Sequence, residues 1–290
     1  MTRDPGARLR RDVESDGITV LPGVYDALTA RLVEQSGFQA AFTSGYSVAA
    51  SQLGLPDVGY LDLSANLARV RDVFSAVDVP VVADADTGYG NAMNARYTVE
   101  RFVEAGAGGL ILEDQVWPKR CGHMDEKQVV STEEHATRIR AAADARDDSD
   151  EDVVVIARTD AREPLGLDEA IERGRAYEEA GADVVFVEAP ETRDELERVA
   201  GAFDVPSFAN MIEGGKTPYM DVDEVERLGF DVVVYPLAGL FAAVHGAREA
   251  YRSLASEGHA GDVDRVDFDG FDELIEAGRH RDVADRYTSG

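Results

Sequence analysis

The sequence has little cysteine, little lysine and no long apolar run. One of its 290 residues is a cysteine, Cys121, and three are lysines. A single cysteine excludes an intramolecular disulfide and fits a reducing compartment, so we expect a cytoplasmic protein whose Cys121 is a thiol. No run approaches the roughly 20 apolar residues of a membrane helix, and the charged segment 1–17 does not have the pattern of a secretory signal. We therefore expect no membrane association.

Positive charge is scarce as well. The 29 lysines and arginines face 57 aspartates and glutamates, which gives a formal net charge of −28. Neutralising a phosphate backbone or an anionic lipid surface needs a basic patch, so nucleic-acid binding and membrane-surface binding are not expected. Acidity of this kind, with arginine in place of lysine, is typical of halophilic proteins, where it serves solubility in salt. With 44% hydrophobic residues the chain can still build a large core.

One structural unit recurs along the chain: a helical pattern that ends in glycine, a short link, and an apolar run closed by polar residues. Gly106, Gly181 and Gly229 each end such a helix. Continuous apolar runs of this length are typical of parallel strands that are buried on both faces. The eight runs lie at residues 18–21, 40–43, 79–83, 110–113, 153–157, 184–187, 207–209 and 232–235.

Helical patterns, such as those at 132–146 and 167–180, separate these runs. Eight alternations without a break in composition predict an α/β protein with a single (β/α)8 barrel. We expect residues 1–260 to form the barrel with a short N-terminal extension. Residues 261–290 are predicted to be helical and to pack on a neighbouring subunit.

Polar residues follow the apolar runs. Chemistry in such a barrel occurs at the C-terminal ends of the strands. Aspartate and asparagine at these positions also suit plain helix capping. Capping does not account for Glu113, Arg158 and Glu188 together, since burying their charges is costly unless they serve one another or a ligand. The residues concerned are Ser44, Gly45, Tyr46, Asp84, Asp86, Glu113, Asp114, Arg158, Asp160, Glu188 and Asn210.

The paired aspartates indicate a metal site. Asp84 and Asp86 share one strand end, and Asp57 and Glu113 offer further oxygens. Hard carboxylates without a histidine or cysteine at metal-ligand spacing suit Mg²⁺ or Mn²⁺. The alternative is that the pair only supports the turn at residues 87–90.

The loop Lys119-Arg120-Cys121-Gly122-His123 follows the run that ends at Glu113. Cations and a histidine beside a thiol lower its pKa and suit it to proton transfer or nucleophilic attack. A structural cysteine would normally be an apolar core residue, whereas Cys121 lies in a polar segment. We therefore expect Cys121 to take part in chemistry.

Several collinear motifs resemble the isocitrate lyase and phosphoenolpyruvate mutase superfamily. They are Leu21-Pro22-Gly23-Val24-Tyr25-Asp26, Ser44-Gly45, Asp84-Ala85-Asp86-Thr87-Gly88, Glu113-Asp114-Gln115, Lys119-Arg120-Cys121-Gly122-His123 and Ala157-Arg158-Thr159-Asp160. The chain is most similar to the short members, 2-methylisocitrate lyases and 2-alkylmalate lyases, over nearly its whole length. The resemblance implies a (β/α)8 barrel with a C-terminal helix swapped between subunits, a homotetramer built as a dimer of dimers, and bound Mg²⁺.

The resemblance also implies a role for each matching residue. Asp84 and Asp86 would hold the metal, assisted through water by Asp57 and Glu113. The loop would supply Cys121 as general acid, with Lys119 and His123 setting its protonation and Glu113 close to the reacting groups. The substrate-binding residues would be Ser44, Gly45, Tyr46, Gly122, Arg158, Glu188 and Asn210.

Two positions depart from the 2-methylisocitrate lyase pattern. Phe241 and Phe271 replace arginines that hold substrate carboxylates, and a phenylalanine cannot compensate the desolvation of a carboxylate. The segment 210–218 instead resembles the 2-alkylmalate lyases and their relatives that act on oxaloacetate. Within that segment, Lys216 is a candidate contact for a distal carboxylate or, equally, a solvated loop residue.

The sequence thus predicts a Mg²⁺-dependent carbon–carbon lyase. It would cleave a 2-hydroxy acid, 2-methylisocitrate or a 2-alkylmalate, by retro-aldol chemistry to pyruvate and a second acid. With 2-methylisocitrate the second acid is succinate and the role lies in propionate metabolism. The alternatives are oxaloacetate hydrolysis, phosphonate or carboxyphosphonate mutase chemistry, which Cys121 argues against, and a non-catalytic barrel.

Overall fold

The computed structural model describes residues 4–122 and 126–288. In this part of the chain, eight parallel strands form a closed barrel in sequence order, which confirms the predicted (β/α)8 fold. The strands are β1 Thr19–Val24, β2 Ala41–Thr43, β3 Val81–Asp84, β4 Gly109–Glu113, β5 Val154–Thr159, β6 Val184–Val187, β7 Ser207–Asn210 and β8 Val232–Tyr235.

Strand β1 closes the barrel against β8 and is longer than the apolar run at 18–21. Thr19 pairs with Val232, and the pairing continues to Pro22 opposite Tyr235. Pro22-Gly23 is a usual turn signal. Here the pair lies in the strand, and residue 23 must be glycine because the adjacent backbone is close: a Cβ on Gly23 would lie 2.6 Å from the Cα of Pro236.

Helices surround the barrel and follow the predicted pattern. The segment predicted at 132–146 begins after Ser131, whose hydroxyl accepts a hydrogen bond from the Glu134 amide at 3.2 Å. The helices are α1 Pro5–Val13, α2 Ala27–Gln35, α3 Gly45–Leu53, α4 Leu63–Ala76, α5 Ala92–Ala105, α6 Thr132–Asp147, α7 Arg162–Leu165, α8 Leu167–Glu179, α9 Arg193–Ala200, α10 Val222–Leu228, α11 Ala238–Glu257, α12 Phe268–Leu274 and α13 Ala277–Thr288.

The barrel interior is a packed apolar core. Phe186 and Phe208 stack inside it with ring centroids 4.7 Å apart. Leu9 and Val13 of α1 belong to the same buried cluster, so α1 covers the N-terminal end of the barrel. The polar residues at the opposite end are thereby left as the accessible end of the strands.

The C-terminal helices lie largely outside this packing. Within α11, which is described in full, Leu240 is the one buried residue. Helix α12 contacts α2: Gln35 Nε2 donates to the Leu274 carbonyl at 3.2 Å, and Arg31 pairs with Glu276 at 3.0 Å. None of the helices in the described ranges is long and apolar enough to cross a membrane.

Candidate active site

A cavity of about 50 Å³ lies at the C-terminal ends of the strands. The structure brings most of the predicted site residues to its wall: Ser44, Tyr46, Asp57, Asp84, Glu113, Lys119, Cys121, Gly122, Arg158, Glu188 and Asn210. Gly45 and Asp86 lie directly behind this wall, in contact with Asp84 and Lys119 respectively. His123 lies outside the described residues.

The end of β3 approaches the start of α3 closely. The Gly45 amide donates to Asp84 Oδ2 at 3.2 Å, and a Cβ on Gly45 would lie 2.7 Å from that oxygen. The Asp86 amide donates to Asp84 Oδ1 at 3.0 Å. Asp84 therefore supports its own turn, as the capping alternative requires, while its carboxylate also lines the cavity.

Lys119 lies among the carboxylates. Its Nζ is 2.6 Å from Asp57 Oδ2 and 2.7 Å from Asp86 Oδ1, and the side chain is 3% exposed. Burial lowers the pKa of Lys119, but the carboxylates of Asp86, Asp84 and Asp57 outweigh it and hold the pKa well above its ordinary value. Lys119 is therefore a fixed ammonium that neutralises acids in the cavity, a position that the loop sequence did not indicate.

The acids still exceed the cations nearby. Burial, together with the neighbouring Asp84 and Asp57, raises the pKa of Asp86 to about 6 despite Lys119. Burial likewise raises the pKa of Glu113 well above its ordinary value. Among the described residues, Glu113 Oε1 is buried without a hydrogen-bond partner. Buried carboxylates that outnumber the neighbouring cations fit a hard divalent cation such as Mg²⁺ or Mn²⁺.

A second acidic group lies elsewhere. Ligand atoms of Glu257, His259 and Asp262 lie within 4.8 Å of one another, but all three residues are exposed at the end of α11. They are absent from the cavity wall. Exposed acidic groups of this kind are common without an ion, so we assign them no role.

Arg158 is the cation of a second part of the cavity wall, which the ends of β5, β6 and β7 form. It donates from Nε and Nη2 to the two Asp160 oxygens, both at 2.9 Å. Nη2 also lies 3.0 Å from Glu188 Oε2, and Nε lies 3.5 Å from Glu113 Oε2. Burial lowers the pKa of Arg158, but Asp160, Glu188 and Glu113 together hold it well above its ordinary value. The guanidinium is thus held in one orientation, with its plane over Phe186.

Glu188 and Asn210 complete that wall. Asn210 Nδ2 lies 3.2 Å and 3.3 Å from the two Glu188 oxygens. The Asn210 Oδ1 is buried and has no hydrogen-bond partner among the described residues. The amide is therefore positioned by Glu188, with its oxygen available to a polar ligand.

The loop after β4 covers the cavity. Arg120, Cys121 and Gly122 all line it. Gly122 lies so close to the floor that a Cβ would overlap Arg158 and lie 2.7 Å from Glu188 Cγ. Cys121, the residue before it, therefore belongs to a loop that reaches the polar groups at the strand ends.

Two residues of this region were missed from the sequence. Lys127 and Gln115 are buried and hold the loop by hydrogen bonds. Gln115 belongs to a superfamily motif, and Lys127 is one of only three lysines in a very acidic chain, which was the available signal.

The part of the cavity lining that follows β7 and that β8 and its loop contribute is apolar. It consists of Ile212, Val234, Pro236 and Leu237. In the described part of the chain, Phe241, Phe271 and Lys216 are absent from the lining. Phe241 and Phe271 are 43% and 38% exposed.

Known proteins resemble this chain along nearly its full length. The phosphoenolpyruvate phosphomutase family matches residues 9–255. The 2,3-dimethylmalate lyase of Eubacterium barkeri is 41% identical over 286 residues, 98% of each chain. The 2-methylisocitrate lyase of Bacillus subtilis is 39% identical over 87% of this chain and 82% of its own.

Solved structures agree with these relatives. An oxaloacetate acetylhydrolase in complex with 3,3-difluorooxalacetate superimposes with a TM-score of 0.94 at 34% identity, covering 99% of this chain and 98% of that one. A phosphonopyruvate hydrolase in complex with oxalate and Mg²⁺ gives a TM-score of 0.87 at 34% identity, covering 99% of both chains. The predicted resemblance is confirmed, and the chain belongs to the phosphoenolpyruvate mutase and isocitrate lyase superfamily.

Proposed function

We propose that the protein is a Mg²⁺-dependent carbon–carbon lyase that cleaves a 2-alkylmalate of the 2,3-dimethylmalate type to pyruvate and a monocarboxylic acid. The observation that carries this proposal is one cavity in which an acidic cluster, a fixed guanidinium and a thiol face one another. The 2,3-dimethylmalate lyase that covers 98% of the chain supports it.

The acidic side of the cavity would hold the metal. Asp84 and Asp86 would contact it directly, and Asp57 and Glu113 would act through water. When bound, a divalent cation supplies positive charge that stabilises oxygen charge at the keto-acid end of the substrate. Lys119 offsets part of the negative charge of Asp57 and Asp86, because its ammonium lies 2.6 Å and 2.7 Å from their oxygens.

The guanidinium side would bind and orient the substrate. Arg158 lines the cavity beside Ser44 and Tyr46, and its contacts with Asp160 prevent it from rotating. Its fixed charge favours the substrate carboxylate and the oxygen that becomes the pyruvate carbonyl. Gly45 offers no side chain, so that the Asp84 carboxylate can lie close to the backbone at this end of the cavity.

Cys121 would supply the proton. After the C2 hydroxyl proton has been removed, the C2–C3 bond breaks and its electron pair moves to C3. Pyruvate forms from C2, and the other fragment leaves as the enediolate of its carboxylate. The Cys121 thiol protonates C3 and becomes a thiolate. This role is supported by the position of Cys121 in the cavity lining, where its side chain can meet a bound substrate.

The apolar wall favours a monocarboxylate product. Succinate, the second product from 2-methylisocitrate, carries two carboxylates, whereas propionate from 2,3-dimethylmalate carries one. Ile212 and Leu237 offer no hydrogen bond to an additional carboxylate. By the superfamily resemblance, Phe241 and Phe271 take the places of arginines in 2-methylisocitrate lyases. Neither side chain can pair with an additional carboxylate.

A substrate panel tests the proposal. Pyruvate release is measured with Mg²⁺ in high salt from 2,3-dimethylmalate, 2-methylisocitrate and phosphonopyruvate, and acetate and oxalate release from oxaloacetate. We expect the highest kcat/KM with 2,3-dimethylmalate. Cys121→Ser should lower that rate by about 100-fold or more while the thermal unfolding midpoint stays unchanged. Turnover of oxaloacetate alone would replace the lyase by a hydrolase, and full activity in Cys121→Ser would refute the role of the thiol.

We also propose that the protein is a homotetramer in which the C-terminal helices pack on a neighbouring copy. Tyr251 of α11, Phe268 of α12 and Tyr287 of α13 are 71%, 90% and 84% exposed in the single chain. Their exposure on three consecutive helices supports contact with a partner. A swapped helix, as the superfamily resemblance implies, would bury them.

A further inference from the structure

Two buried side chains hold the peptide groups on either side of Cys121. On one side, the Gln115 amide makes two hydrogen bonds to Arg120. Its Nε2 donates to the Arg120 carbonyl at 2.8 Å, and its Oε1 accepts from the Arg120 amide at 2.9 Å. Gln115 is 1% exposed, so this pairing is shielded from water.

On the other side, Lys127 holds Gly122. Its Nζ donates to the Gly122 carbonyl at 2.6 Å and to Asp160 Oδ1 at 3.1 Å. The side chains of Lys127 and Asp160 are both fully buried. Burying an ammonium is costly unless charged or polar partners surround it, so this geometry is strongly preferred over one with the carbonyl withdrawn.

Gln115 and Lys127, which we call the two anchors, lie on segments that are hydrogen-bonded to each other. The Val116 amide donates to the Gln128 carbonyl at 2.8 Å, and the Val130 amide donates to the Asp114 carbonyl at 2.9 Å. The segments that carry Gln115 and Lys127 are thus paired with each other below the loop. Asp160, which receives Lys127, is also the carboxylate that orients Arg158.

We propose that Gln115 and Lys127 are positioning residues that fix the Cys121 thiol above Arg158 and the acidic cluster. This inference rests on the proposed function, in which Cys121 donates a proton to the substrate. Lys127 and Arg158 both bind Asp160. The position of the Cys121 loop is therefore fixed relative to the Arg158 guanidinium. Neither anchor lines the cavity, so both act through the residues that they hold.

Alkylation of Cys121 tests the proposal. The chain has one thiol, so the rate of iodoacetamide incorporation reports on Cys121 alone. Lys127→Met and Gln115→Leu remove one anchor each. Gln35→Leu is the matched control, since it removes a side-chain amide that binds a backbone carbonyl far from the cavity, at Leu274. Unfolding is checked by the thermal midpoint.

We expect either anchor variant to react about tenfold faster than the parent or more, because a hydrogen bond that opposes opening of the segment is lost. Gln35→Leu should react at the parent rate. Lys127→Arg, which keeps the charge, should return most of the protection. In the pyruvate assay, Gln115→Leu should lower kcat at least about tenfold with little change in KM, because the thiol acts after substrate is bound.

Parent-like alkylation in both folded variants would overturn the proposal. If Lys127→Met does not fold, Gln115→Leu decides alone, since it removes no charge and leaves Asp160 paired with Arg158. The alkylation rate needs no turnover. A parent enzyme without lyase activity would therefore refute the proposed function, while the anchor test would still give its own answer.

Discussion

Replacing Gly122 by alanine should disable the enzyme without unfolding it. An added Cβ would overlap Arg158 Nη2 and lie 2.7 Å from Glu188 Cγ, whereas ordinary contacts begin near 3.4 Å. Arg158 cannot yield, because Asp160 and Glu188 hold its guanidinium at 2.9 and 3.0 Å. The loop must therefore rise by about 1 Å, and a displacement of that size at a reacting group costs about 100-fold in rate. That factor equals about 2.7 kcal/mol of transition-state stabilisation.

The assay is kcat/KM for pyruvate release from 2,3-dimethylmalate, alongside thermal unfolding. Gly201→Ala is the matched control, since a Cβ there meets its nearest atom, the Glu197 carbonyl oxygen, at 3.9 Å. We expect Gly201→Ala to match the parent in both measurements, and Gly122→Ala to match it in unfolding alone. Full activity in Gly122→Ala would show that Gly122 does not lie against Arg158 during turnover.

Three further predictions address the metal, acid stability and assembly. Mg²⁺ at about 100 times its Kd should add about 2.7 kcal/mol to the stability of the parent, seen as a rise in Tm, and Asp84→Asn should lose that rise. Burial, assisted by Arg138, lowers the pKa of His135 to about 3 from 6.5. Its neutral ring thus contributes stability above pH 6.5 that is lost as the pH falls toward 3. His135→Phe should spare about 2 kcal/mol of the loss between pH 7 and 5 in denaturant titrations. Tyr251→Asp should lower the mass measured by light scattering, whereas Leu165→Asp, on an exposed part of α7, should not.

The fold was predictable because its signal is local and repeated. Each apolar run between helical patterns corresponds to a strand of the barrel, and the helical pattern at 132–146 corresponds to α6. The exception is β1, where Pro22-Gly23 looks like a turn. Pro22 pairs with Tyr235 of β8, and Gly23 lies against the backbone of Pro236, where a Cβ would not fit. Both contacts join residues more than 200 positions apart in sequence, and no local pattern contains them.

The sequence predicted which side chains lie at the strand ends, because these residues directly follow apolar runs. It did not predict the contacts between residues that are distant in sequence. The position of Arg158 after its run places it at the catalytic end of any such barrel. That Lys119 would lie between Asp57 and Asp86 depends on how the loop folds back over the cavity. Gln115 and Lys127 were missed for the same reason, since their partners, Arg120 and Gly122, are peptide groups that carry no sequence signature.

The net charge of −28 describes the surface and hides the balance at the site. Two of the three lysines, Lys119 and Lys127, are buried in ion pairs with carboxylates of the cavity or of its immediate support. Most of the acidic side chains outside the cavity need no partner, because water solvates them. Even so, the pKa values of Asp86 and Glu113 stay raised, chiefly because both carboxyl groups are buried. Asp57, Asp84, Asp86 and Glu113 also outnumber Lys119 and Arg158, the cations beside them, which leaves a deficit of positive charge. A dianionic substrate would add to that deficit. We therefore expect metal binding and substrate binding to be linked, because the divalent cation proposed for this site would offset the charge of the acids and that of the substrate beside them.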